Sequence, residues 1–131
     1  KYSTVVILGI SHSGNQKEIG LSPSLVIAET LLKSGAKVKI HDPLYSCAEI
    51  SGLLSGISYF EYEKKNFDGV DVVIVASEHT GYKYLTQGDI ERYLNGKVKL
   101  VIDSANSWNH YKFTAGTVYH QIGDGTVDVL S

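Results

Sequence analysis

The residues best suited to chemistry follow an apolar run near the start of the chain, in the stretch VILGISHSGN of residues 6–15. Glycine, serine and histidine directly after β-forming residues are typical of a loop that brings backbone to a ligand at the end of a strand. A dinucleotide turn, a phosphate loop and a nucleophile turn all use such a loop. The spacing of the glycines decides among them.

That spacing fits none of the three. A dinucleotide turn requires G-x-G-x-x-G, whereas Gly9 is followed by Ser11 and Ser13, and the next glycine is Gly14. The chain has no G-K-[ST] sequence, which a phosphate loop requires. A nucleophile turn, G-x-S-x-G, fails because Ser13 stands in place of the second glycine. A stand-alone hydrolase using Ser11 with His12 or His79 therefore lacks the glycine that such a turn requires.

Other polar residues near predicted strand ends have simple explanations. Asp42 stands where an acidic residue would meet a ribose, but the Asp-Pro pair it forms with Pro43 is typical of a turn that ends a strand. His12 and His79 follow strands that we expect to be neighbours, so they would reach one cleft, although ordinary loop positions explain them equally well. The five histidines lack metal-ligand spacing, and we expect no metal site. Cys47 has no close basic neighbour, so nothing indicates a reactive thiol.

Short β-rich runs alternate with helical patterns along the chain. The run at 71–77 is apolar at successive positions, as expected of a central parallel strand covered on both faces. The predicted strands are 4–10, 37–42, 57–61, 71–77, 98–103 and 117–123.

Two helices carry clear boundary signals. Ser22 and Pro23 are good first residues for one helix, and Gly35 suits its end. Thr86 with Asp89 resembles a capping box that starts a second helix, which ends near Gly96. The side chains expected to pack inward are Leu25, Ala28, Leu31 and Leu32 in the first helix, Ile90, Tyr93 and Leu94 in the second, and Tyr59, Tyr62 and Tyr119 elsewhere.

With shorter helices predicted at 46–55 and 63–69, the order of elements indicates an α/β fold. We expect one domain over residues 1–131, with a three-layer, Rossmann-like, doubly wound architecture and a mostly parallel sheet of five to six strands in the order 3-2-1-4-5. In such a sheet the ligand lies beyond the carboxyl ends of the strands, where the strand order reverses.

Composition narrows the classes of partner. Apolar residues make up 43% of the chain and charged residues 20%, as in ordinary globular proteins. A net charge of −2 gives no reason to expect nucleic acid or a membrane as partner, and no apolar run is long enough to span a bilayer. We expect a cytoplasmic location. Because the chain contains no methionine, we also expect it to be a piece of a longer protein.

The strand ends, taken in order, resemble the C-terminal UDP-binding domain of UDP-glucose/GDP-mannose dehydrogenases. The resemblance runs from about residue 5 to residue 123 and rests on the order and spacing of short motifs. These motifs are SP opening the first helix, then KSGAKVKIHDP, EH after the fourth strand, and ID with Asn106 after the fifth.

The resemblance implies an activity that is divided among domains. Members of this family oxidise the 6-hydroxyl of a nucleotide sugar to a carboxylate with NAD as the oxidant. An N-terminal domain holds NAD, a central region dimerises, and the catalytic cysteine lies outside the C-terminal domain. The implied partners of this chain are therefore a nucleotide-sugar substrate and the two absent domains, with no catalytic residue in the chain itself.

The resemblance also supplies site residues. Three basic positions of the family fall on Ser13, Gly20 and Ala105, all uncharged here. Since a charge-assisted hydrogen bond contributes about 1.5–3 kcal/mol, their loss weakens binding or leaves a diverged, non-catalytic interaction or regulatory module on the same fold. The substrate-binding residues implied by the resemblance are His12, Ser13, Gly14, Glu18, His79, Asp103, Ser104, Ala105 and Asn106.

Overall fold

A computed structural model describes residues 3–10, 23–62, 67–77, 85–105, 108–114 and 116–121 of the chain. Strands and helices alternate along these residues. They are β1 (Thr4–Leu8), α1 (Pro23–Lys33), β2 (Lys37–His41), α2 (Cys47–Ser51), β3 (Ile57–Tyr59), β4 (Val72–Val75), α3 (Gln87–Asp89) with a π-helical segment directly after it (Ile90–Leu94), β5 (Leu100–Asp103) and β6 (Val118–Gln121).

The strands form a single sheet in the order β3-β2-β1-β4-β5-β6. Each pair of neighbours among these six strands runs parallel. The predicted Rossmann-like fold and the 3-2-1-4-5 order are confirmed, and β6 extends the sheet beyond β5. The expected mostly parallel sheet is also confirmed, and the six described strands are parallel throughout.

Each face of the sheet has its own apolar core, because successive side chains of a strand point to opposite faces. Val5 and Ile7 of β1 belong to one core cluster, together with Ala28 of α1. Val6 and Leu8 belong to the other cluster, which includes the π-helical segment and the loop after β5. Helical layers thus cover both faces, as expected for a doubly wound sheet. No helix of the described residues is both long enough and apolar enough to cross a membrane.

The boundary signals of α1 act as predicted within the described residues. The helix begins at Pro23, and Gly35 adopts a φ of 96° just beyond its end. There the Gly35 amide donates to the Leu32 carbonyl at 3.1 Å, and the Ala36 amide donates to the Leu31 carbonyl at 3.1 Å. These bonds satisfy carbonyls that the helix leaves free, and glycine tolerates the positive φ. Ser22 lies outside the described residues.

The second predicted helix is confirmed, and part of it is π-helical. Thr86 and Asp89 form the predicted capping box at the start of α3. The helix then widens, since the Asn95 amide donates to the carbonyl of Ile90, five residues earlier, at 2.8 Å. Ile90 and Leu94 are fully buried and Tyr93 packs against the same core, so the inward face is as predicted.

The two shorter predicted helices are only partly confirmed within the described residues. The segment 46–55 contains only α2, which a capping box between Ser46 and Glu49 starts. In the described part of the segment 63–69, Phe67 has 3₁₀-helical conformation, and the Val70 amide donates to the Phe67 carbonyl at 3.1 Å and closes a turn. Residues 63–66 lie outside the described residues.

Candidate functional site

The strand order reverses between β1 and β4, and the carboxyl ends of four strands lie side by side there. The Ala76 amide after β4 donates to the Leu8 carbonyl of β1 at 2.8 Å. The Ser104 amide after β5 donates to the Val75 carbonyl of β4 at 2.9 Å, and the Gly9 amide donates to the His41 carbonyl of β2 at 2.7 Å. The loops after β1, β2, β4 and β5 therefore begin along one edge, where ligands bind in open α/β sheets.

Gly9 is required at the end of β1 because another strand end approaches it closely. A β-carbon added at this position would lie 2.4 Å from both Cβ and Oγ of Ser77, and the φ of Gly9 is 107°. The Gly9 carbonyl accepts a 2.8 Å hydrogen bond from the buried Ser24 hydroxyl of α1. The glycine thus serves the packing of β1 against β4 and α1.

The Asp42 carboxylate forms hydrogen bonds within the protein. Its side chain is fully buried, with one carboxylate oxygen accepting from the Ile10 amide at 2.8 Å and the other from the Leu44 amide at 2.9 Å. The Tyr45 amide donates to the Asp42 carbonyl and closes the turn. The predicted Asp-Pro turn is confirmed. Since the amides of Gly9 and Ile10 and the carboxylate of Asp42 are already bonded internally, this part of the first loop does not fit a dinucleotide.

The buried carboxylate of Asp103, at the end of β5, accepts three hydrogen bonds. Its Oδ1 accepts from the Ala105 amide at 3.1 Å, and its Oδ2 accepts from the Trp108 amide at 2.7 Å. The Tyr119 hydroxyl of β6 donates to the same Oδ2 at 2.7 Å. Burial, the hydrogen bond to Asp103 and the nearby carboxylate charge raise the pKa of Tyr119 above its ordinary value, so this hydroxyl stays protonated and donates at neutral pH.

Ser104 and Ala105 follow Asp103 and differ in exposure. Ser104 is exposed, and its hydroxyl donates to the Val75 carbonyl at 3.2 Å. Ala105 is only 6% exposed and belongs to the same core cluster as Trp108. The position at which the resembling family has an arginine is therefore a core position in this chain, where an alanine packs.

The structure thus brings Asp103, Ser104 and Ala105 together at the end of β5. Within the described part of the chain, no three His, Cys, Asp or Glu side chains form a group that could hold a metal ion. The other residues implied for the site lie outside the described residues: His12, Ser13, Gly14, Glu18, His79 and Asn106.

Sequence reasoning missed the role of the Tyr119 hydroxyl. Tyr119 packs partly buried against the core, as predicted, but its hydroxyl also reaches Asp103. The register places Tyr119 opposite Val101, two residues before Asp103 and on the same face of the sheet. A correct register between the fifth and sixth runs would have revealed this neighbour, but the sequence alone does not fix that register.

Comparison with known proteins gives a consistent family assignment. The sequence matches the UDP-glucose/GDP-mannose dehydrogenase family, UDP binding domain, over residues 6–110. It is 29% identical over 127 residues to a UDP-N-acetyl-D-mannosamine dehydrogenase of Methanococcus maripaludis, covering 92% of this chain and 27% of the relative. It is 26% identical over 125 residues to the UDP-glucose 6-dehydrogenase TuaD of Bacillus subtilis, covering 94% of this chain and 26% of the relative.

Solved structures agree with these matches. The fold superposes on a UDP-glucose dehydrogenase from Pyrobaculum islandicum with a TM-score of 0.66 and 25% identity, covering 90% of this chain and 24% of that one. It superposes on a UDP-D-ManNAc dehydrogenase from Pyrococcus horikoshii with a TM-score of 0.65 and 20% identity, covering 92% and 25% of the two chains. The chain therefore spans about a quarter of the length of the relatives it matches.

Proposed function

Since the chain belongs to the UDP-glucose/GDP-mannose dehydrogenase family, as its UDP-binding domain, we propose that it binds the nucleotide of a UDP-sugar. The protein that contains it would be a dehydrogenase that oxidises a UDP-hexose to the uronate. The observation that carries this proposal is the reversal of strand order between β1 and β4. The loops that hold the implied contacts begin at the carboxyl ends of β1, β4 and β5, so they start from one edge of the sheet.

The proposal divides the work between this chain and the rest of the protein. The chain is one UDP-binding domain over residues 1–131, and the NAD-binding and dimerising regions lie outside it. NAD supplies the oxidising chemistry when bound there, in keeping with the internal bonding of Gly9 and Asp42. We assign no catalytic residue to the chain, whose role is to hold and orient the nucleotide.

Within the proposed site, some residues contact the nucleotide and others hold the loop after β5 in position. Ser104 is exposed at the carboxyl end of β5, so its side chain is accessible to a ligand. Asp103 is fully buried and surrounded by donors, so it supports the loop and does not touch the nucleotide. The proposed contacts are Ser104, the backbone of Ala105, and His12, Ser13, Gly14, Glu18, His79 and Asn106.

Titration of the 131-residue chain with UDP, followed by amide NMR, tests this function directly. We expect the Gly9, Ser104 and Ala105 amides to shift in a saturable way, and a UDP-hexose to shift the same amides. NAD is the matched control, since it also carries a pyrophosphate, and it should move these amides much less. Unchanged amides at millimolar UDP would refute the proposal.

A second candidate, a non-catalytic interaction or regulatory module, is favoured by one observation. Ala105 packs in the core where the family has a basic residue, so that charge is absent from the ligand edge. The two candidates differ in a measurement on the intact protein, in which the formation of NADH from NAD and a UDP-hexose is followed by the absorbance of NADH. Turnover supports the dehydrogenase, and UDP binding without turnover supports the module.

A further inference from the structure

The loop after β5 is held at two points by one carboxylate. The Ala105 amide lies 3.1 Å from Oδ1 of Asp103, and the Trp108 amide lies 2.7 Å from Oδ2. The chain between these two amides contains Asn106, one of the residues implied for nucleotide binding. The position of the Asp103 carboxylate therefore fixes the Ala105 and Trp108 amides, which flank Asn106 in the sequence.

Tyr119 in turn fixes the carboxylate, and it does so from a different element. Its hydroxyl donates to Oδ2 of Asp103 at 2.7 Å, beside the Trp108 amide on the same oxygen. The ring of Tyr119 stacks on Phe113 with a centroid distance of 4.9 Å and an interplanar angle of 5°. The position of the Tyr119 hydroxyl is thus fixed by strand β6, which carries the ring, and by Phe113, on which the ring stacks.

The exact position of the loop after β5 matters more here than it would in a basic loop, because this loop carries no positive charge. Residues 104–106 are Ser, Ala and Asn, and none carries a positive charge. A loop without charge binds a nucleotide through hydroxyl and amide hydrogen bonds, which weaken steeply when distance and angle depart from their optimum. Small shifts of the loop should therefore cost affinity.

We propose that Tyr119 is a positioning residue for the proposed nucleotide-binding loop after β5, acting through Asp103 on the Ala105 and Trp108 amides. This inference rests on the proposed function, because it assumes that the loop contacts the nucleotide. It adds a residue from β6, outside every strand-end loop, to the determinants of binding. Tyr119 touches no ligand in this arrangement.

Tyr119→Phe is the test variant, because it keeps the ring that stacks on Phe113 and removes only the hydroxyl. Tyr93→Phe is its matched control: Tyr93 also packs partly buried against the same core, and no described residue hydrogen-bonds to its hydroxyl. Amide hydrogen exchange and the NMR shifts of Ala105 and Trp108 report on the loop. The dissociation constant for UDP reports on binding.

In Tyr119→Phe we expect exchange at Ala105 and Trp108 to become about tenfold faster and the dissociation constant for UDP to rise about tenfold, as the loss of one hydrogen bond to a charged group predicts. Exchange at Ile74, in the central strand, reports on global unfolding, so a larger acceleration at Ala105 and Trp108 than at Ile74 identifies the local effect. Tyr93→Phe should change none of these quantities.

Two outcomes would overturn the proposal: unchanged exchange at Ala105 and Trp108 in Tyr119→Phe, or faster exchange with an unchanged dissociation constant. If the wild-type chain does not bind UDP, the proposed function is refuted, and so is the claim that Tyr119 affects nucleotide binding. Hydrogen exchange at Ala105 and Trp108 then still decides whether Tyr119 positions the loop. The wild type gives a check that needs no variant. A Tyr119 hydroxyl proton that exchanges slowly and shows a nuclear Overhauser effect to the Trp108 amide supports the arrangement, and its absence contradicts it.

Discussion

Two buried aspartates at strand ends, Asp42 and Asp103, organise loops in this molecule. Each is fully buried, and each accepts hydrogen bonds from backbone amides in the turn that follows it. Asp42 also accepts from Ile10 of another loop, and Asp103 also accepts from Tyr119 of another strand. A buried carboxylate is tolerated when several donors surround it, and it then fixes the conformation of every segment that supplies one.

Replacing Asp103 with Asn should be strongly destabilising. The amide oxygen can accept on one side, but the new NH₂ group must face either the Ala105 amide or the pair of donors from Trp108 and Tyr119. We expect Asp103→Asn to lower the free energy of unfolding by about 2–4 kcal/mol, as loss of hydrogen bonds to a buried charged group predicts. Urea denaturation followed by the fluorescence of the single tryptophan measures this.

Asp68→Asn is the control for that experiment. Asp68 lies on the surface, 3.8 Å from the Lys97 ammonium, with a side chain that is 74% exposed. Exposed ion pairs contribute little, so this variant should change the free energy of unfolding by less than about 1 kcal/mol. Equal losses in the two aspartate variants would contradict the role given to Asp103.

Gly9 permits a second prediction with an internal control. Gly9→Ala adds a β-carbon 2.4 Å from Ser77 in a residue with a φ of 107°, so it combines steric overlap with backbone strain. We expect a loss of about 2–5 kcal/mol in the free energy of unfolding. Gly69→Ala adds a β-carbon at a φ of 80° with no atom within 4 Å, so it should cost only the strain, about 1–2 kcal/mol. If urea denaturation gives the same loss for both, close packing against Ser77 is not the reason for glycine at position 9.

At the scale of elements, the π-helical segment is held at its end by one hydroxyl. Thr117, just before β6, accepts a hydrogen bond from the Gly96 amide at 2.8 Å. Its oxygen also lies 2.6 Å from the Val98 carbonyl and 3.1 Å from the Leu94 carbonyl, either of which can receive its single proton. A threonine far along the chain therefore completes the bonding of the helix end.

Thr117→Val tests this arrangement, because it keeps the shape of the side chain and removes the hydroxyl. We expect a loss of about 1–3 kcal/mol in the free energy of unfolding and faster hydrogen exchange at the Gly96 amide, since buried backbone groups lose their partner. Thr117→Ser, which keeps the hydroxyl, should retain slow exchange at Gly96. A valine variant with wild-type exchange there would show that the hydroxyl does not hold the helix end.

The elements that the sequence predicted well are those with strong local signals. The capping box at Thr86 and the glycine after α1 are chemical features of the residues themselves, so they specify a helix start and a helix end. The widening of the second helix has no such signal, because part of its bonding comes from Thr117, more than twenty residues away. The predicted helix at 46–55 was too long because Gly52 ends α2 early, at an ordinary right-handed φ of −89°.

At the scale of the whole molecule, the sheet order, and with it the edge at which the proposed site lies, followed from the alternation of strands and helices along the chain. The hydrogen bonds and packing that hold the loop after β5 at that edge could not be predicted from the sequence. The contact of Asp103 with Tyr119 depends on the register of β5 and β6, and the place of Ala105 in the core depends on how the loop after β5 turns. Both are properties of packing between segments, which residue types alone do not specify.

The core on one face of the sheet also makes the stability of the whole molecule sensitive to alkaline pH. Tyr111 is buried in this core, and Tyr62 and Tyr119 pack against it. Burial is the first cause that raises the pKa of each of the three tyrosines. The charge of Tyr111 and then that of Asp89 add to it for Tyr62, the charge of Asp89 for Tyr111, and the hydrogen bond to Asp103 with its charge for Tyr119. In the unfolded chain these tyrosines ionise near their ordinary pKa of 10.0.

Above that pH the unfolded state loses protons that the folded state keeps, so the free energy of unfolding must fall as pH rises. Each such tyrosine contributes up to about 1.4 kcal/mol per pH unit. We expect the free energy of unfolding of Tyr119→Phe to fall less steeply than that of the wild type between about pH 10 and pH 11, since phenylalanine has no proton to lose. Urea denaturation at each pH measures the slopes, and the difference between the two proteins should be constant at neutral pH, where tyrosine does not ionise. Parallel curves through the alkaline range would mean that Tyr119 keeps an ordinary pKa and that its hydroxyl is not held against the Asp103 carboxylate.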